Sequence, residues 1–192
     1  AKMPVGGFYF DSLTRQEPID EDALDPEDNA SDYGPISEAD LAHLAAESER
    51  LHTQTDKALM MVFGGTGFGD IALVPGPWVK RPKGIRDVAE WYMSTVTRKD
   101  YVMQVFERQC EIAMENLPRV YDAVGDRVTV AWISGTDFGS QNSCFISPKA
   151  FRTLYKPFYT RVNAWIHAHT PWKTFTHSCG SIQPLRPDIS EA

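Results

Sequence analysis

The stretch Arg127-Val-Thr-Val-Ala-Trp-Ile-Ser134, running directly into Gly135-Thr-Asp-Phe-Gly-Ser-Gln-Asn142, decides how this chain is read. Its β-branched and aromatic residues form a strand, and the Gly- and polar-rich run after it forms a loop. Behind it lies a helix from Lys99 to about Val124, in which Val102, Phe106, Cys110, Ala113, Leu117, Val120 and Val124 recur every three or four residues. That stripe makes Cys110 a buried core thiol, and Gly125 supplies the helix stop. Ahead of it, Ser147-Pro148 gives an N-cap and an N1 proline, with Ile146 placed to staple onto Phe151. The stripe Phe151, Leu154, Tyr155, Phe158, Val162, Trp165, Ile166 follows, and Pro157 predicts a kink or break within it. A strand between two long amphipathic helices, with no hairpin signal, belongs to a parallel sheet. Asp137 then sits just past the strand's C-terminal end, where active sites of such sheets form.

The same pattern repeats outward. Ala58-Leu-Met-Met-Val-Phe63 is a short apolar run, the pattern of a strand covered on both faces. Gly64-Gly-Thr-Gly-Phe-Gly-Asp70 follows it; the spacing fits neither a dinucleotide fingerprint nor a P-loop, so the glycines serve a close approach of backbone to a ligand or a neighbouring strand. Ile71-Ala-Leu-Val-Pro-Gly-Pro-Trp78 continues that connection, and a helix follows from Ile85 to about Thr97. Towards the end of the chain, Trp172-Lys-Thr-Phe-Thr-His-Ser-Cys-Gly-Ser181 places Phe175, His177 and Cys179 at one parity, so an extended backbone projects imidazole and thiol from one face. The bland reading of that pair is chance packing at a strand end. The chemical one is half of an open zinc site, which needs at least three protein ligands. His167 and His169, two apart at a helix end, point away from each other and read as surface residues.

Composition bounds the rest. A chain of 192 residues, 42% hydrophobic and 23% charged, buries one sizeable core and reads as one domain by default. No apolar run approaches the roughly 20 residues of a membrane span and no signal pattern opens the chain, so a cytoplasmic protein is expected. Three widely spaced cysteines, Cys110, Cys144 and Cys179, argue for reduced thiols. Of the net charge of −7, residues 11–40 alone contribute −10, from eleven acids against Arg15. With no basic stripe carrying aromatics, a nucleic-acid partner is not expected. Residues 3–10 suggest a strand or hairpin arm, and 11–35 a solvated excursion with little structure. Ser37 then caps a helix reaching about Asp56.

The blocks Val74-Pro-Gly-Pro-Trp78, Gly135-Thr-Asp-Phe-Gly-Ser-Gln141, Ile146-Ser-Pro-Lys-Ala-Phe151, Lys156-Pro-Phe-Tyr159 and Phe175-Thr-His-Ser-Cys-Gly-Ser181, in this order, resemble the uroporphyrinogen decarboxylase superfamily. The resemblance runs over roughly 58–192. It implies a (β/α)8 TIM barrel, present here as an incomplete central fragment: an acidic segment with one helix over 1–57 and a partial barrel over 58–192. Two activities come with it. The zinc-dependent methyltransferases carry a His-x-Cys at the matching strand, so the resemblance implies His177 and Cys179 as zinc ligands and a corrinoid-bound methyl group as donor. A third ligand is then expected from outside this chain, as a downstream cysteine, water, buffer or another chain. The decarboxylases need no metal, and there Asp137 accepts hydrogen bonds from pyrrole N–H groups and stabilises positive charge. Beside either role stands the plain one, a turn residue capping backbone N–H groups. Gly76, Trp78, Gln141 and Asn142 are the expected substrate contacts, with Asp137, the 64–70 connection and Trp78 lining one pocket. The expected partners are a small-molecule or corrinoid-protein substrate and, because a partial barrel leaves strand edges unpaired, a second copy of the chain. A non-catalytic, partner-binding fragment is the third reading.

Overall fold

The computed structural model describes residues 16–31, 33–62, 65–69, 83–133 and 136–192. The expected arm over residues 3–10, the connection 71–78 and the candidate contacts Gly76 and Trp78 lie outside the described residues.

The acidic excursion holds more structure than its composition suggests. After a single 3-10 turn at Glu21–Ala23, helix α1 (Pro26–Ala30) starts where Asp25 accepts the Glu27 N–H and Pro26 takes the first turn. Asn29 and Ala30 are buried against later elements, and that burial outweighs the surrounding charge. Helix α2 (Glu38–Gln54) is capped by Ser37, whose Oγ accepts the Asp40 N–H at 3.1 Å. Strand β1 (Met60–Val62) comes next, then α3 (Val88–Thr97), capped by Asp87, and α4 (Lys99–Val124). Strand β2 (Val130–Trp132) leads to α5 (Pro148–Leu154) and α6 (Lys156–His169). These two helices are the expected single stripe broken at Tyr155, because Pro157 lacks the N–H that a continuous helix would use and fits only a first turn. Strand β3 (Lys173–Phe175) and the short α7 (Arg186–Glu191) complete the order. No helix among the described residues is long and apolar enough to cross a membrane.

The strands form one parallel sheet in the order β1-β2-β3, with Met61, Ala131 and Thr174 in one row and Val62, Trp132 and Phe175 in the next. The expected incomplete (β/α)8 barrel is overturned here. The sheet is open and each ladder spans three residues, whereas closure takes about eight tilted strands with a continuous stagger. The strands of five to eight residues read from the sequence are three residues long each where the structure describes them. One face of the sheet, at Met61 and Ala131, packs on the helices. The other leaves Met60, Val62 and Phe175 exposed.

Helix α4 is the spine, packed by α1, α2, α3 and α6. Its buried stripe includes Val102, Phe106, Cys110, Ala113, Leu117 and Val120 as the periodicity predicts, and burial pushes the Cys110 thiol up to about 11. On it sits an aromatic cluster of Phe68, Phe106, Phe158 and Tyr159, in contacts of 5.2–5.8 Å between ring centres. The described part of the Gly-rich connection packs down onto this spine: a Cβ at Gly65 would lie 3.4 Å from Ala113, and one at Gly69 3.1 Å from Phe106. The close approach it was expected to serve is thus made to helix and aromatic side chains.

Asn29 ties the first helix to the start of α3. Its Oδ1 accepts from the Ile85 N–H (2.6 Å) and the Tyr101 hydroxyl (2.7 Å), and its Nδ2 donates to the Ile85 carbonyl (2.9 Å). Asn29→Ala leaves both Ile85 groups buried and unpaired, so it is expected to cost about 2–3 kcal/mol. A urea unfolding midpoint equal to that of the parent chain would show that these bonds do not hold the segment.

Candidate metal centre

Past the end of β2 the side chains alternate. Thr136 and Phe138 point inward and are fully buried, the first donating its hydroxyl to the Phe68 carbonyl and the second packed edge-on against Phe151 and Tyr155 at 5.2 and 5.0 Å. Asp137 between them must therefore point out. The chain then makes a small loop closed by the antiparallel bridge between Gly139 and Cys144, with Ser140 N–H donating to the Ser143 carbonyl at 2.8 Å. Gln141 and Asn142 stand exposed at the bend of this loop, and the Asn142 N–H points back to Ser140 Oγ at 3.4 Å.

The segment after β3 crosses this loop. Ser181 N–H donates to the Ser140 carbonyl at 2.7 Å and Cys144 Sγ to the Ser181 carbonyl at 3.2 Å. Gly180 lies so close that a Cβ there would stand 2.1 Å from the Gly139 oxygen, and its φ of +86° is itself one that suits glycine. The crossing sets Asp137 beside the pair read from the sequence. Cys179 N–H donates to Asp137 Oδ1 at 2.6 Å, His177 Nε2 is 3.3 Å from Cys179 Sγ, and His177 Nε2 is 3.8 Å from Asp137 Oδ1.

One ligand atom from each of these three residues falls within 4.8 Å of the others. A tetrahedral zinc ion with ordinary bonds to nitrogen, oxygen and sulfur spaces its ligand atoms roughly 3.3–3.6 Å apart. The His177–Cys179 and His177–Asp137 separations of 3.3 and 3.8 Å lie near that spacing, and the N, O and S donors are all ones zinc takes. Where the third ligand was expected from outside the chain, a donor of a suitable type, the Asp137 carboxylate, stands beside the pair within it. The His177 side chain is 43% and the Asp137 side chain 32% exposed, so the three donors face solvent. The Asp137 carboxylate, through its hydrogen bond and its charge, raises the Cys179 thiol above its ordinary range. Burial, with the Asp137 charge second, likewise raises the Tyr92 phenol, which donates to the Asp137 carbonyl at 2.6 Å. The His177 ring also lies beside Trp132, 5.7 Å between centres and tilted by 38°.

Tyr92 and Ser178 are the site residues that the sequence reading passed over. Ser178 had a signal, since it stands between the two ligands of the motif; Tyr92, on α3, had none. Comparison of the chain with protein-family models, with curated protein sequences and with solved structures finds no match.

The thiol shift has a sign that can be measured. In metal-free protein Asp137→Asn removes the negative charge that holds the Cys179 proton, so the thiol pKa falls. The pH midpoint of Cys179 alkylation is expected to move down relative to the parent chain, followed by mass spectrometry of the Cys179 peptide. An upward or absent shift would mean that the carboxylate does not govern this thiol.

Proposed function

We propose that the chain holds one zinc ion on Asp137, His177 and Cys179 and serves methyl transfer from a corrinoid-bound methyl group to a small thiol. The convergence of an imidazole, a thiol and a carboxylate at one solvent-open point carries the metal reading. The reaction class rests on the likeness of the sequence blocks to the zinc-dependent methyltransferases. Zinc in such a position supplies a Lewis acid that lowers the pKa of a thiol or water bound at the open site.

The protein's own contribution is charge and order. Cys179 as thiolate and Asp137 as carboxylate bring two negative charges, which balance a divalent cation, while neutral His177 adds a ligand without charge. The cation reverses the local logic that keeps the thiol protonated, so binding releases its proton. Trp132 and Phe175, 5.0 Å between ring centres, form an apolar floor beside the ligands. The decarboxylase reading needs Asp137 for pyrrole N–H groups. Here one of its oxygens already accepts the Cys179 N–H and the carboxylate faces a thiol and an imidazole, which favours the metal.

About one zinc per chain is expected by elemental analysis after loading and desalting. Cys179→Ser and His177→Ala should each weaken binding by more than the roughly 10–100-fold that loss of an outer-shell partner costs. Affinity should rise with pH through the thiol pKa, because the proton must leave for the metal to bind. A folded parent chain that retains no zinc, or variants that retain as much, would overturn the assignment.

A further inference from the structure

One peptide unit, the link between Asp137 and Phe138, is gripped at both ends by side-chain hydroxyls. Its carbonyl accepts the Tyr92 phenol at 2.6 Å and its N–H donates to Ser178 Oγ at 2.9 Å. The Ser178 hydroxyl in turn donates to the Cys179 carbonyl at 3.1 Å. The two hydroxyls come from different elements. Tyr92 projects from α3, part-buried, with its ring 5.1 Å from that of Phe145; Ser178 lies between the two ligands of the His-x-Cys motif.

The geometry has a direct consequence for the carboxylate. A peptide plane has two soft torsions on either side, and those flanking Asp137 decide where its Cα–Cβ bond points. Phe138, fully buried in the aromatic cluster, anchors the far side of the plane. With the plane's own donor and acceptor both engaged, rotation would break two hydrogen bonds at once. The Asp137 oxygen is thereby held where it meets the Cys179 N–H and stands 3.8 Å from His177 Nε2. A metal centre depends on such placement to a few tenths of an ångström.

We propose that Tyr92 and Ser178 are positioning residues of the metal centre, which lock the Asp137–Phe138 peptide so that Asp137 serves as the third ligand. The inference rests on the zinc reading above. Neither hydroxyl touches the ion; both act through Asp137, and Ser178 also couples that peptide to the backbone of Cys179.

Zinc competition titrations and absorption spectra of the cobalt-loaded full chain test this directly, with the thermal midpoint of the metal-free protein measured in parallel. Tyr92→Phe keeps the ring against Phe145 and removes one oxygen; Ser178→Ala removes the other hydroxyl, and Ser178→Thr restores it. Tyr92→Phe and Ser178→Ala are each expected to weaken zinc binding about 10–100-fold. The visible cobalt bands should lose intensity as water replaces Asp137 and the coordination number rises. Ser178→Thr should return affinity and spectrum towards the parent. A merely structural role would lower the midpoint and leave the cobalt spectrum of the folded fraction unchanged, and that outcome overturns the proposal. Parent-like affinity and spectrum in both variants overturns it as well, while leaving the metal reading intact. A parent chain that binds neither ion removes the metal reading, and this inference with it.

Discussion

Two glycines pass each other in this protein at a distance that no side chain would allow, and the candidate site follows from that passage. Gly139 follows β2 and Gly180 follows β3, and the crossing of their segments is fastened by the bond from Ser181 N–H to the Ser140 carbonyl. A β-carbon on Gly180 would overlap the Gly139 carbonyl, and moving that carbonyl would displace the peptides that carry Asp137. The requirement is therefore steric first and chemical second. Backbone approach brings the acid to the motif, and only then can three donors share one point.

The scaffold beneath is stiff where the crossing needs support. Thr136 and Phe138, on either side of Asp137, are buried without exposure and tied to the Gly-rich segment and the α5–α6 aromatics. At the end of the chain, Asp188 on α7 is clasped by Arg152 of α5 and by Lys156 of α6, and this clasp holds its carboxyl below the usual carboxylate range. The site itself is the opposite case. A carboxylate and a thiol stand side by side, so the Asp137 charge resists ionisation of the thiol. Close-packed support under a polar cluster that includes a carboxylate is an arrangement suited to a cation.

Much of the local structure was legible. The caps at Ser37 and Ser147, the α4 stripe, the break at Pro157 and the parallel pairing all follow from residue type and spacing. The short α1 was missed because acid content was read as solvation, although Asp25-Pro26 is a helix start in its own right. The barrel was an inference from family likeness, and the three short strands among the described residues do not close. In the site, His177 and Cys179 were visible as a two-residue motif. Asp137 was visible only as a strand-end acid, because its distance from them depends on a chain crossing. Trp132 and Phe175 are in register, yet Asp137 lies five residues past the one and His177 two past the other. No periodicity encodes how a loop consumes that difference. Tyr92 was silent for the same reason, since it ties to the site through a hydroxyl reaching a main-chain carbonyl.

The ring of Trp132 beside the imidazole of His177 gives the centre an optical handle. Indole emission responds to an imidazole at contact range, so a change at His177 reaches the light this tryptophan emits. The stacked pair Trp165 and His169, 4.7 Å between centres on α6, would report in the same way from an unrelated place. Replacing Trp165 by phenylalanine removes that second voice.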